Sequence, residues 1–171
     1  MKYNKVLILA ACSVMAVLLF MLENILPKPF PFFRIGLANV FILLILVNMD
    51  FKSAIIIALT KVVLGNLFSG LLFTPIVLLS LLGSVAACII MYIGIKARLG
   101  LSLVGLSILG AVFHNLVQLT VAYFILIKSV RLFSLVPVML VLALITGIIT
   151  GSIASLLKDK FILVAAPKVA K

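Results

Sequence analysis

Apolar residues run along this chain in long blocks, separated by short clusters of Pro, Gly, Asn and charged residues. A helix needs about 20 apolar residues to cross the hydrocarbon of a bilayer. The blocks predict helical spans over 6–26, 35–49, 53–68, 74–95, 101–127 and 135–157, then a basic tail over 158–171. The first span closes in Glu23-Asn24 and a segment with alternating prolines, Pro27, Pro29 and Pro31. Such a segment cannot continue a helix and favours extended backbone. Asp50-Phe51-Lys52 predicts a tight turn, and Pro75 is tolerated in a first helical turn. The block 35–49 is short and predicts a helix that begins below the membrane surface. The block 101–127 is long enough to tilt. The expected fold class is an all-α integral membrane protein, a six-helix transmembrane bundle forming one domain over 1–171.

Composition supports that pattern. Of the 171 residues, 67% are hydrophobic and 10% charged, against about a quarter charged in a soluble domain. Mean hydropathy is +1.53, and the spans leave no length for a soluble catalytic domain. The net charge of +11 comes from 14 Lys and Arg against 3 acids. In a soluble chain this balance would suggest nucleic acid. Here the cations sit between apolar blocks, where topology and anionic headgroups account for them, and no nucleic-acid partner is expected. With the N-terminus inside, the inner ends carry Lys2, Lys5, Lys52, Lys96, Arg98, Lys158, Lys160, Lys168 and Lys171. The outer ends carry Lys28, Arg34, Lys128 and Arg131. That asymmetry predicts both termini on the cytoplasmic side of a bacterial cell membrane.

Cys12 and Cys88 lie inside apolar blocks and read as small apolar filler, with no zinc spacing between them. Leu9-Ala10-Ala11-Cys12 resembles a lipoprotein processing site. The stretch between Lys5 and Cys12 is shorter than the roughly 7–15 residues of a signal h-region, so 1–26 is read as an uncleaved span.

Polar groups in lipid are costly and require a reason. Those present are Glu23, Asn24, Arg34, Asn39, Lys61, Asn66, His114, Asn115 and Gln118. At 1.5 Å per residue, Lys61 and His114 fall near the midplane and the others toward the outside. Gln118 lies one turn beyond His114 on the same face. The cluster predicts a substrate pocket open to the outside. Its cations exceed its one acid, Glu23, and point to an anionic ligand. Each residue has a plainer reading beside this one. Glu23 and Arg34 can form a structural salt bridge, and Lys61 can snorkel along its stem. His114 can be a satisfied bundle histidine, with Asn115 and Gln118 as interhelical glue.

Small residues recur every four positions at Ala143, Gly147, Gly151 and Ser155, and at Cys12 and Ala16. Such faces let helices approach closely, either inside the bundle or against a partner membrane protein. Catalysis would require a paired acid and base, a nucleophile with its base, or a metal site. No such motif is visible in the sequence, and the dispersed acids offer no Asp-rich magnesium site. No enzymatic activity, metal or tightly held cofactor is expected, although a flavin or other vitamin-like ligand fits the pocket reading.

At several of these positions the sequence resembles a known family. Glu23-Asn24, the run from Pro29 through Phe30, Pro31, Phe32, Phe33 and Arg34 to Asn39, Gly65-Asn66-Leu67-Phe68-Ser69-Gly70, and His114-Asn115 with Gln118 carry the resemblance. It is to the bacterial Gx transporter family, often labelled heptaprenyl diphosphate synthase component I. The resemblance implies a fold similar to the substrate-binding S components of energy-coupling factor transporters. Those capture vitamins or related molecules from outside and pair with a transmembrane coupling subunit and two ATPases. It also implies that Pro29–Phe33 resembles a gating loop. S components that share an energising module often dock through Ala-x-x-x-Ala on the first span, where this chain has Cys12-x-x-x-Ala16. The family label carries the other reading: an accessory membrane subunit of a flavin or quinone redox pathway, or of an isoprenoid pathway.

Overall fold

The computed structural model describes residues 2–27 and 35–165, with side chains described over 5–27 and 35–160. The expected gating loop Pro29–Phe33 and Arg34 lie outside the described residues. The described residues form helices joined by short turns: α1 (Lys2–Ile25), α2 (Asn39–Asn48), α3 (Phe51–Phe68), α4 (Ile76–Lys96), α5 (Leu103–Ala122) and α6 (Val136–Ala165). A π-helical turn at Tyr123–Ile127 extends α5, and a 3-10 turn at Val130–Leu135 leads into α6.

Five of these helices are long and apolar enough to cross a membrane. The expected span over 35–49 differs. Its helix, α2, covers ten residues, about 15 Å at 1.5 Å per residue, or half the hydrocarbon thickness. Residues 35–38 form a turn instead. Gly36 takes the left-handed backbone at φ +83, and its carbonyl accepts the Asn39 N–H at 2.8 Å. A helix apolar on every side belongs inside a structure. α2 follows that rule: Val40 and the run Ile42 to Leu46 are buried, and α2 touches each of the other five α-helices.

Local chemistry sets the ends. Asp50 caps α3 by accepting the Ser53 N–H at 2.8 Å, a favoured N-cap arrangement. Its carboxylate also receives Lys5 Nζ at 2.6 Å, tying the start of α1 to the α2–α3 turn. The Lys5 hydrogen bond first, then the Ser53 N–H, hold the Asp50 carboxyl down at about 2. Ser102 caps α5 through the Gly105 N–H at 3.2 Å. α4 ends with Leu99 N–H reaching back to the Gly94 carbonyl at 3.4 Å, which leaves Arg98 left-handed at φ 52. Glycine usually fills that place, and a side chain there costs roughly 1–2 kcal/mol.

Lipid is as apolar as leucine, so close packing and hydrogen bonds must join the helices. The closest approach of a glycine to another helix's backbone runs along α5 and α6. A Cβ on Gly147 would stand 2.6 Å from Ile108 Cα, and one on Gly151 2.6 Å from Val104 Cα. The Ser107 and Thr150 hydroxyls meet at 2.6 Å in the same seam. Gly147 and Gly151 therefore face α5, and Ala143, Cys12 and Ala16 are likewise buried. All five are buried, and Cys12 also lines a groove with Phe41 and Leu157. Ser155 alone of that set is exposed.

Candidate ligand pocket

The end of α1 and the start of α2 meet through Glu23. This carboxylate is 1% exposed and accepts the Ala38 N–H at 3.3 Å. Ala38 opens α2 without a side-chain cap of its own. A negative charge is favourable at the positive end of a helix, so Glu23 supplies what the alanine lacks. Asn24, half-buried, donates to Ser69 Oγ at 2.9 Å and joins the ends of α1 and α3.

One layer further in, Lys61 of α3 is 2% exposed and donates to Asn39 Oδ1 at 2.5 Å. The ammonium is thus held at the first residue of α2. Asn39 also lines a cavity of about 10 Å³ with Gly36, His114, Asn115, Ser107 and Thr150. That volume holds about one water. The cavity collects side chains from α2, α5 and α6, with Met91 of α4 as an apolar wall.

His114, Asn115 and Gln118 occupy successive buried positions of α5. Gly83 on α4 makes room for them: a Cβ there would lie 2.9 Å from Gln118 Cγ and 3.1 Å from His114 Nδ1. Neither amide end of Asn115 or Gln118 has a hydrogen-bond partner among the described residues. Asn66 donates Nδ2 to the Val62 carbonyl of its own helix at 2.7 Å, while its Oδ1 is unpartnered. Buried polar groups are overwhelmingly hydrogen-bonded, and each unpaired one in hydrocarbon costs several kcal/mol. Among the described residues nothing satisfies these amides, and they are placed to receive a further polar group.

The sequence-derived set thus divides by contact. Asn39, His114 and Asn115 share one cavity, Lys61 joins them through Asn39, and Gln118 packs beside His114 against the Gly83 position. Glu23, Asn24 and Asn66 do not line that cavity. Glu23 touches it indirectly, through the α2 start that it caps. Sequence reading passed over Ser84, whose buried hydroxyl is unpartnered, as well as Ser107 and Thr150. Hydroxyls on membrane helices commonly satisfy themselves on a preceding carbonyl, as Thr150 does on Thr146 at 2.8 Å. Only the small pair Gly83-Ser84, opposite an α5 bearing three polar residues, could have signalled Ser84. Among the described residues no three His, Cys, Asp or Glu side chains gather as a metal site would require.

The family model described as heptaprenyl diphosphate synthase component I matches residues 12–157. The chain belongs to this family. The match covers α2 to α5 completely and most of α1 and α6, and so spans every residue of the pocket. No curated protein and no solved structure matches the chain. In this member of the heptaprenyl diphosphate synthase component I family, the buried polar groups therefore have to be understood from their own geometry.

Proposed function

We propose that the chain is the membrane-embedded substrate-binding subunit of a small-molecule uptake transporter in the bacterial cell membrane. A transmembrane coupling subunit and two ATPases energise it. The observation carrying this reading is the pair Asn115 and Gln118, buried with both amide ends unpartnered among the described residues, Asn115 lining the polar cavity and Gln118 packed with His114 against the Gly83 position. Amides that served only as glue would bond across the helices they join.

The ligand is a small anionic metabolite, such as a vitamin or flavin-like molecule. The buried cation Lys61 is held on Asn39 at the α2 start, where the Glu23 carboxylate is already engaged by the Ala38 N–H. A cavity of about 10 Å³ is too small for such a ligand, so binding requires the α2 entry to move away from α5. In this reading Pro29–Phe33 forms the gate, and the chain performs no bond-making chemistry.

The family description favours a second reading, an accessory membrane subunit of an isoprenoid or redox pathway, with the cavity retaining a cofactor or quinone. Affinity purification of the tagged full chain from its native membrane separates the two. Co-purified coupling subunit and ATPases, with ATP-dependent uptake after reconstitution, support transport. Prenyltransferase activity that depends on the chain, without those partners, overturns it.

A further inference from the structure

A second cavity lies at the opposite end of the molecule from the Glu23 layer. It is a groove of about 350 Å³ between the α4–α5 turn and the end of α6. Its walls are apolar, among them Val47, Leu99, Leu101 and Leu106, and its charged members are Arg98 and Lys158. Neither cation has a carboxylate partner among the described residues, where Lys5–Asp50 is the ion pair present. Lys158 is half-buried and lines the groove, a placement in which a lysine stem can cover apolar surface while its ammonium stays in reach of water.

Arg98 adds an independent indication. It holds the left-handed position at φ 52 where α4 ends, a place that glycine would fill without strain. Two residues later the chain does use glycine, at Gly100 with φ 65. The bonds that close α4 would form equally with glycine there, so the choice of a long cationic side chain points to a role for that side chain. That role is the charge that Arg98 brings to the rim beside Lys158.

We propose that this groove binds an anionic phospholipid, its phosphate between Arg98 and Lys158 and its acyl chains along the apolar walls. Basic pockets between membrane helices take lipid headgroups in this way, and a guanidinium matches phosphate oxygens in a fork geometry. A free phosphate would leave the apolar walls uncovered, and an uncharged lipid would leave both cations unpaired. The site is separate from the ligand pocket and does not depend on the transport reading.

The test is native mass spectrometry of the full chain from nanodiscs of phosphatidylcholine doped with phosphatidylglycerol. Wild type should retain phosphatidylglycerol in preference to phosphatidylcholine. Arg98→Gly and Lys158→Gln should each weaken that retention about fivefold, from the roughly 1 kcal/mol that a surface cation contributes. Arg98→Gly relieves backbone strain, so its melting temperature in pure phosphatidylcholine should equal or exceed wild type, which separates lost binding from lost folding. Lys52→Ala, a cation at the same end that does not line the groove, should retain lipid as wild type does. Three results overturn the proposal. Equal retention of both lipids leaves the groove to bulk lipid or a partner helix. Displacement of phosphatidylglycerol by millimolar inorganic phosphate, whatever its acyl chains, assigns a soluble ligand. An equal loss in Lys52→Ala makes the attraction diffuse.

Discussion

Replacing Asn115 by leucine removes a buried carboxamide while keeping the number and branching of side-chain heavy atoms. Asn115 is 2% exposed, and neither Oδ1 nor Nδ2 has a partner among the described residues. An unsatisfied buried polar group costs roughly 1–3 kcal/mol in proteins, and the carboxamide carries two. Asn115 lines the cavity of about 10 Å³, and one water there would satisfy part of the amide. The expected gain from Asn115→Leu is therefore near the lower end, about 1 kcal/mol. Gln118 does not line that cavity, so Gln118→Leu should gain more, about 2 kcal/mol. Thermal or denaturant unfolding in a fixed detergent measures both. An amide acting as interhelical glue predicts the opposite sign, a loss of about 0.6 kcal/mol on average. A clear destabilisation by both substitutions would therefore refute the argument that these groups await a ligand.

Three further outcomes follow from the packing. Glu23→Gln keeps an acceptor for the Ala38 N–H but removes the charge at the α2 N-terminus, and should cost about 0.3–2 kcal/mol in the same unfolding assay. Gly147→Ala puts a Cβ 2.6 Å from the Ile108 backbone, and should cost about 1–3 kcal/mol as α5 and α6 are forced apart; a melting curve unchanged from wild type would contradict that seam. Asp50 is lowered from 3.8 to about 2 in the folded state, so its stabilising contribution is present above 3.8 and lost as pH falls toward 2. Lys5 and Asp50 are both more than a third exposed, so the change should stay under about 1 kcal/mol. Asp50→Asn should abolish that part of the pH dependence.

The blocks of apolar residues located the helices because lipid demands continuous apolar runs and forces breaks into a few polar positions. The Asp50 turn and the Phe68 end fall where those breaks stand. Block 35–49 was misleading in length for a physical reason. Val40 to Val47 are equally apolar whether they face lipid or neighbouring helices, and composition does not distinguish the two. The break at Gly36 depends on a left-handed backbone that no neighbouring residue announces. Small residues posed the same ambiguity: Gly147 looks alike whether it meets a partner or α5, and only the approach to Ile108 shows which. The polar residues were legible because each is conspicuous in lipid. Their division into bonded and unbonded groups was not, since it depends on three-dimensional contacts such as Ala38 with Glu23 and Asn39 with Lys61.

Binding of a ligand by the polar layer of α5 is what separates a substrate-capturing subunit from a purely structural bundle. Native mass spectrometry of the full chain, purified gently from its own membrane into nanodiscs, measures this. The wild type should carry one small molecule per chain, absent from a folded Asn115→Leu, Gln118→Leu double variant. The same molecule at the same occupancy in both proteins would contradict the central claim.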